Sequence, residues 1–166
     1  MATTTLVQET GSGSATSNSY VTTTQLDTYA ADRNITLSGT YGDQTEVLFK
    51  AIDYLDALPF IGIKWTQAQA MQWPRVDAYI DGYLLDSDSI PVELTNAQLA
   101  IALEIDQGND PLAVINRATK KEKVDVIEVE YMENSSSAEI IRSVSARLRK
   151  LLRAGSSGAN FQVSRL

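Results

Sequence analysis

Two pairs of carboxylates are the residues whose types and spacing could support metal or acid–base chemistry. Asp53 and Asp56 lie three positions apart, and Asp86 and Asp88 lie two apart. Paired carboxylates can bind a divalent cation or divide the roles of acid and base. Neither pair has a third ligand at a recognised spacing, nor the glycine and distal glutamate of a calcium loop. We therefore interpret both pairs as solvated carboxylates.

The residue types that the chain lacks exclude most other catalytic chemistry. Its 166 residues include no cysteine and no histidine. Without cysteine there is no disulfide, thiolate zinc site, iron–sulfur cluster or cysteine nucleophile. Without histidine the commonest general base and the commonest metal ligand are missing. We therefore expect a protein that is not an enzyme and that carries no cofactor.

The segment Trp73-Pro74-Arg75 permits two interpretations. A tryptophan beside an arginine can stack on the bases of single-stranded nucleic acid. Large aromatic side chains more often fill a core, and proline fixes a turn. We predict that Trp73 is buried. The complete set of predicted core residues is Tyr54, Leu55, Trp73, Pro74, Ile101 and Ile105.

The charges are distributed unevenly. Residues 1–116 carry 15 acidic and four basic side chains, whereas residues 117–166 carry six acidic and ten basic ones. The net charge of −7 disfavours nucleic acid as a partner, because phosphate is repelled. The basic end is either a solvated surface or a site for DNA, an anionic membrane or an acidic protein.

The positioning elements are predicted from apolar periodicity and from turn residues. We expect a mainly α protein: a small bundle of four to five helices with a short β-strand or hairpin and extended terminal segments. The predicted elements are helices near 22–33, 43–58, 66–71, 91–107 and 137–154, a hairpin turned at Asp81-Gly82, and a strand with a β-bulge over 121–131. Helix 91–107 is apolar almost all round, so it lies either at the centre of the bundle or against a neighbouring subunit.

Three segments follow from this pattern. Residues 1–19, rich in Ser, Thr and Gly, are expected to be a segment that is flexible or ordered by a partner, with a linker at Gly11–Ala15. Residues 20–154 form the helical domain, and 155–166 form a C-terminal tail. The predicted docking residues lie at the C-terminal end, where the tail spacing suits an extended segment laid on a partner. They are Arg142, Arg149, Lys150, Arg153, Phe161, Val163 and Leu166.

Short segments in a fixed order carry a family resemblance. They are Asn18-Ser19-Tyr20-Val21, Ala51-Ile52-Asp53-Tyr54-Leu55-Asp56, Phe60-Ile61-Gly62, Gln72-Trp73-Pro74-Arg75, Asp81-Gly82, Ile90-Pro91, Glu122-Lys123-Val124 and Val129-Glu130-Tyr131. Together they resemble the head–tail connector (adaptor, or head-completion) proteins of tailed bacteriophages. Many members of that family are labelled DnaT-like single-stranded-DNA-binding proteins.

The resemblance implies a structural subunit of a phage neck. Such adaptors typically form a ring of twelve copies under the portal protein, extend the DNA channel, help to retain the genome and contact the next neck or tail protein. The implied partners are the portal, neighbouring adaptor subunits and that downstream protein, with genome DNA only passing through and no membrane. The implied location is the virion neck, after assembly in the host cytoplasm.

The alternative function is a DnaT-like module that binds single-stranded DNA during replication. An acidic ring subunit should have negligible affinity for DNA, since its channel must not grip the genome. A replication module should bind single strands at micromolar concentration or better, with a measurable dependence on salt.

Overall fold

The computed structural model describes residues 5–38, 44–109, 122–124, 127–129, 144 and 146–153. These residues include three helices and three two-stranded antiparallel ladders. The helices are α1 (Thr23–Ala31), α2 (Gln44–Asp56) and α3 (Val92–Asp106). The ladders pair β1 (Ile63–Lys64) with β2 (Arg75–Val76), β3 (Tyr79–Ile80) with β4 (Tyr83–Leu84), and β5 (Glu122–Val124) with β6 (Ile127–Val129).

The predicted mainly α bundle of four to five helices is wrong, because the described chain mixes three helices with three small antiparallel ladders. The predicted helix at 66–71 consists of bends. The Gln69 side chain accepts a hydrogen bond from Thr66 N at 2.9 Å and donates at 3.0 Å to both Met71 O and Pro74 O. A side chain that forms hydrogen bonds with nearby backbone groups favours a turn over a helix, because it competes with the backbone hydrogen bonds of the helix.

The prediction of one strand with a bulge over 121–131 is also wrong. β5 and β6 pair antiparallel, with Val124 opposite Ile127, so the chain reverses where a bulge was expected. The change of phase in the apolar pattern therefore marks two strands. For the predicted helix 137–154, helical residues are described at 144 and 146–148, and 149–151 form a turn. Its earlier part lies outside the described residues.

Helix α1 begins with a capping box. Thr22 Oγ1 accepts from Gln25 N at 3.2 Å, and Gln25 Oε1 accepts from Thr22 N at 2.7 Å, so two backbone donors at the helix start are satisfied. Its inward face carries Leu26, Tyr29 and Ala30. This face packs on α3.

Helix α3 is the centre of the core, which was one of the two positions predicted for it. It packs against both α1 and α2. The face that carries Glu93, Asn96, Ala100 and Glu104 is only partly buried, whereas most residues on the other sides of the helix are buried by this chain itself. They are Leu94, Ala97, Gln98, Leu99, Ile101, Ala102, Leu103, Ile105 and Asp106.

Gln98 is the polar residue at the middle of this core, and it is fully buried. Its Oε1 accepts from Tyr20 N at 2.9 Å. Its Nε2 donates to Ser19 Oγ at 2.8 Å and to Leu48 O at 3.3 Å. One amide therefore joins α3 to α2 and to the N-terminal segment.

The N-terminal segment is folded around a buried carboxylate, Glu9, which is 1% exposed. Composition predicts a flexible linker at Gly11–Ala15, but the structure places backbone amides of that stretch on Glu9. Ser14 N and Gly11 N each donate at 2.8 Å, and Gly13 N donates at 3.1 Å. Successive amides can converge on one anion because small residues permit the turn. Gly11 in particular has a positive φ of +109°, and a Cβ there would lie only 1.7 Å from Asp88 O, so a glycine is required at this position.

These contacts set the protonation of Glu9. Burial raises the pKa of its carboxyl, but hydrogen bonds from Ser14, Gly11, Ser17 and Gly13 together outweigh burial and hold the pKa below its ordinary value of 4.5. A pKa that is lower in the folded chain contributes stability above the unfolded pKa. That contribution is lost as pH falls through the folded pKa.

The first prediction concerns Glu9→Gln. The variant should lower the free energy of unfolding by about 1–3 kcal/mol at pH 7, because an amide nitrogen replaces one accepting oxygen and leaves buried donors unpaired. The difference between wild type and variant should shrink as pH falls below 4.5. Urea unfolding at several pH values measures it, with the exposed Asp86→Asn as the matched control. A constant difference down to the acid limit would contradict this account.

The second prediction concerns Tyr20, which is 1% exposed and whose hydroxyl accepts from Trp73 N at 3.0 Å. Tyr20→Phe should cost about 1–3 kcal/mol of unfolding free energy, since it leaves a buried amide without an acceptor. The same change at the exposed Tyr83 should stay within about 0.5 kcal/mol of wild type. Equal effects of the two substitutions in denaturant unfolding would exclude the proposed role of the Tyr20 hydroxyl.

Candidate nucleic-acid interface

The β3–β4 hairpin presents large side chains to solvent. Its turn is the predicted Asp81-Gly82, and the pairing of Ile80 with Tyr83 confirms it. Both turn residues have positive φ, 53° and 87°, as a two-residue hairpin with type I′ geometry requires. Tyr83 is 78% exposed, and Tyr79 and Leu84 are each 57% exposed. The hairpin therefore offers two accessible aromatic rings.

The two rings lie on opposite faces of the hairpin. Tyr79 is directly opposite Leu84, and Ile80 is directly opposite Tyr83. Residues opposite one another share a face, and neighbours along a strand alternate. Ile80 is partly buried against the core, which anchors the face that it shares with Tyr83.

The neighbouring β1–β2 ladder also exposes apolar groups. Ile63 is 62% exposed and Trp65 is 41% exposed. Lys64 lies between them and is paired with Arg75 across the ladder. Gly62 (φ +71°) lets the chain at the start of β1 pack tightly against β2, because a Cβ there would lie 2.4 Å from Val76 O.

Residues 147–153 bring positive charge to this region. Leu148 and Leu151 are fully buried and anchor the segment. Leu152 bridges to Phe60, and Ile61 N donates to Leu151 O at 2.9 Å. The segment contains four cationic side chains and no acidic one, and all four residues are exposed. They are Arg147, Arg149, Lys150 and Arg153.

One ion pair joins this segment to the hairpin turn. Lys150 Nζ contacts Asp81 Oδ2, and both side chains are exposed. Such a pair contributes little stability, at most about 1 kcal/mol. The contact does show where the cationic segment lies: it reaches the turn of the hairpin that carries the exposed tyrosines.

A buried arginine lies below the same surface. Arg75 is 6% exposed, and its Nε donates to Ile61 O at 2.6 Å. Its Nη2 donates to Gly62 O at 3.0 Å, the carbonyl that Arg153 Nη2 also approaches at 3.4 Å. Burial first, and then the charge of Arg153, lower the pKa of Arg75.

The structure places the predicted docking residues only in part. Arg149, Lys150 and Arg153 lie in the cationic segment beside the hairpin. Arg142 and the tail residues Phe161, Val163 and Leu166 lie outside the described residues.

The predicted core residues take the following positions. Leu55, Trp73, Ile101 and Ile105 are fully buried, with Pro74 also buried and Tyr54 half-buried. Trp73 meets Phe60 edge to face, with ring centroids 6.2 Å apart. Its position in the core leaves Trp65 as the accessible tryptophan.

The acidic pairs lie in different environments. Asp53, Asp86 and Asp88 are exposed, whereas Asp56 is half-buried, so the interpretation as solvated is wrong for Asp56. Burial raises the pKa of Asp56, and nearby Lys64 partly opposes that shift. Within the described ranges no three Asp or Glu side chains group as a metal site would require.

Comparison with known proteins decides the family. A family model described as "Putative DnaT-like ssDNA binding protein" matches residues 4–166. The chain belongs to this DnaT-like family. No curated protein and no solved structure matches it. The match confirms the DnaT-like part of the resemblance, whereas membership of the phage connectors stays a prediction.

The sequence analysis missed the exposed rings of this DnaT-like protein. Two signals were present: tyrosines on both sides of the Asp81-Gly82 turn, and a second tryptophan, Trp65, next to Lys64. Along the described residues, no helix is long and apolar enough to cross a membrane.

The third prediction compares the two tryptophans. Trp73→Ala should lower the free energy of unfolding by about 3–5 kcal/mol, because it empties a large buried site. Trp65→Ala removes a ring that is 41% exposed and should cost clearly less. Thermal unfolding of both variants measures the difference. A small effect of Trp73→Ala would show that Trp73 is not a core residue.

Proposed function

We propose that this DnaT-like protein binds single-stranded DNA across both faces of the β3–β4 hairpin and on the groups beside it, which together we call the hairpin surface. It consists of Ile63–Trp65, the β3–β4 hairpin and residues 147–153. The observation that carries the proposal is the placement of exposed aromatic rings beside four exposed cations, joined by the Lys150–Asp81 contact. Proteins that bind single strands combine these two features, with bases stacked on rings and phosphates held by positive charge.

The family match supports the same function independently of the surface. It favours the replication-type alternative over the neck ring. Cover by a neighbouring subunit was one of the two environments predicted for helix 91–107. The chain itself buries most of α3 and leaves the face of Glu93, Asn96, Ala100 and Glu104 partly exposed, so most of its apolar residues need no neighbouring subunit to cover them. The ring, its portal partner and the virion location stay predictions.

The overall charge of −7 limits the affinity that we expect. Phosphates are attracted to the cationic segment but repelled by most of the remaining surface, so binding should be moderate and strongly salt-dependent. The same charge distribution orients the bound DNA strand, because only one described segment carries four cations without an acidic residue.

The rings favour single over double strands. In a duplex each base is already stacked on its neighbours, whereas an unpaired base can lie against an exposed ring. Stacking of one base on an aromatic side chain contributes about 1–3 kcal/mol, and it tolerates any sequence. We therefore expect preference for single strands with little preference for base sequence.

The fourth prediction tests the hairpin surface with a labelled oligothymidylate. Wild type should bind at micromolar concentration, and affinity should fall as salt rises. Tyr79→Ala and Tyr83→Ala should each weaken binding by about 5- to 150-fold, the factor that corresponds to one lost stack. Fluorescence anisotropy measures the affinity.

The control is Ile35→Ala, which removes an exposed apolar side chain just after α1 and should leave affinity unchanged. A duplex of the same length should bind more weakly than the single strand. Negligible binding of the oligothymidylate by wild type at low salt would contradict the proposal and favour the connector function. Unchanged affinity in both tyrosine variants would move the interface elsewhere.

A further inference from the structure

Two arginines converge on one carbonyl next to the hairpin surface. Arg75 Nη2 lies 3.0 Å from Gly62 O, and Arg153 Nη2 lies 3.4 Å from the same oxygen. Arg153 is also fixed by its Nε, which donates to Phe60 O at 3.0 Å. Backbone carbonyls, which carry no net charge, therefore hold two guanidinium groups close together.

This arrangement lacks a counter-charge in the part of the chain that is described. The described ion pairs involve other residues, and the described hydrogen bonds of both guanidinium groups go to uncharged oxygen acceptors. Burial first, and then the charge of Arg153, lower the pKa of Arg75, and the second effect is the repulsion expected between two cations. An anion between the two groups would relieve that repulsion.

Several donors remain available to such an anion. A guanidinium has five N–H groups. Arg75 uses its Nε, both Nη1 hydrogens on Gln72 and one Nη2 hydrogen, which leaves one. Arg153 uses only its Nε and one Nη2 hydrogen, which leaves three, and the residue is exposed.

We propose that Arg75 and Arg153 together bind one phosphate group, and that in the DNA complex this group is a phosphodiester of the single strand. The planar, permanently charged guanidinium matches phosphate oxygens with paired donors. The other hydrogen bonds of Arg75 fix its guanidinium group, so its remaining N–H donor is already in position. Arg153, which is exposed, binds the phosphate from the solvent side. The DNA part of this inference rests on the function proposed above, whereas binding of phosphate itself does not.

The fifth prediction uses inorganic phosphate as the probe. At about 100 mM phosphate, against chloride of equal ionic strength, the Tm of wild type should rise by about 2–4 °C more than that of Arg153→Gln. Arg33→Gln removes one exposed charge on the α1 side and should keep the full shift of wild type. Phosphate also stabilises proteins generally by exclusion from their surface, but that effect is common to all three proteins. Equal shifts in all three would overturn the phosphate site.

The oligothymidylate assay tests the DNA part. Arg153→Gln should flatten the plot of log affinity against log salt by about 0.7, the value for one phosphate contact on a single strand, and Arg33→Gln should leave the slope unchanged. Inorganic phosphate should also compete more strongly with the oligonucleotide for wild type than for Arg153→Gln. An unchanged slope in Arg153→Gln would overturn the assignment to a phosphodiester. Absence of DNA binding in wild type, with the Tm difference intact, would reject the proposed function and leave a site for free phosphate.

Discussion

The buried amide of Gln98 is the interaction on which the rest of this structure depends. It is fully enclosed in the core and binds Tyr20 N, Ser19 Oγ and Leu48 O. In a medium of low dielectric constant these bonds are strong when complete and costly when broken. Because Gln98 fixes the backbone at Tyr20, the phenol can reach Trp73 N, 53 positions later. These contacts from α3 through Tyr20 to Trp73 thereby set the position of β2, which precedes the β3–β4 hairpin in the sequence.

The hairpin surface depends on this core but is assembled from distant parts of the sequence. Phe60–Gly62 supplies the carbonyls, Tyr79–Leu84 the rings and residues 147–153 the positive charge. The buried side chains of Leu148 and Leu151 hold the cationic segment in place. Electrostatics alone would not collect these cations, since exposed ion pairs contribute little. Apolar packing decides where the charge lies.

Local signals in the sequence predicted local structure well. Three helices were expected close to α1, α2 and α3 because each has apolar spacing and a clear start or stop, such as the threonines at 22–24 or Pro91. The Asp81-Gly82 turn was also predictable from its residue types. The helix at 66–71 failed because Gln69 binds backbone groups around it, and the fold class failed with it because short ladders leave almost no periodic pattern. Arg149, Lys150 and Arg153 of the proposed interface were among the predicted docking residues. The exposed rings were not predicted, since exposure of Tyr79 and Tyr83 depends on what packs beside them, and helical spacing does not contain that information.

The bridge between Phe60 and Leu152 has a consequence for the order of events during synthesis. The segments that carry Phe60 and Leu152 lie some ninety residues apart in the sequence, so they cannot meet until the later one has left the ribosome. Contacts of such large sequence separation also form late in folding, because the entropy of closing a long loop opposes them. A nascent chain that ends before residue 147 contains Tyr79 and Tyr83 but not the cations of residues 147–153. The net charge of this shorter chain is still strongly negative. The growing polypeptide therefore carries a larger excess of negative charge, which repels nucleic acid, until residues 147–153 have been added.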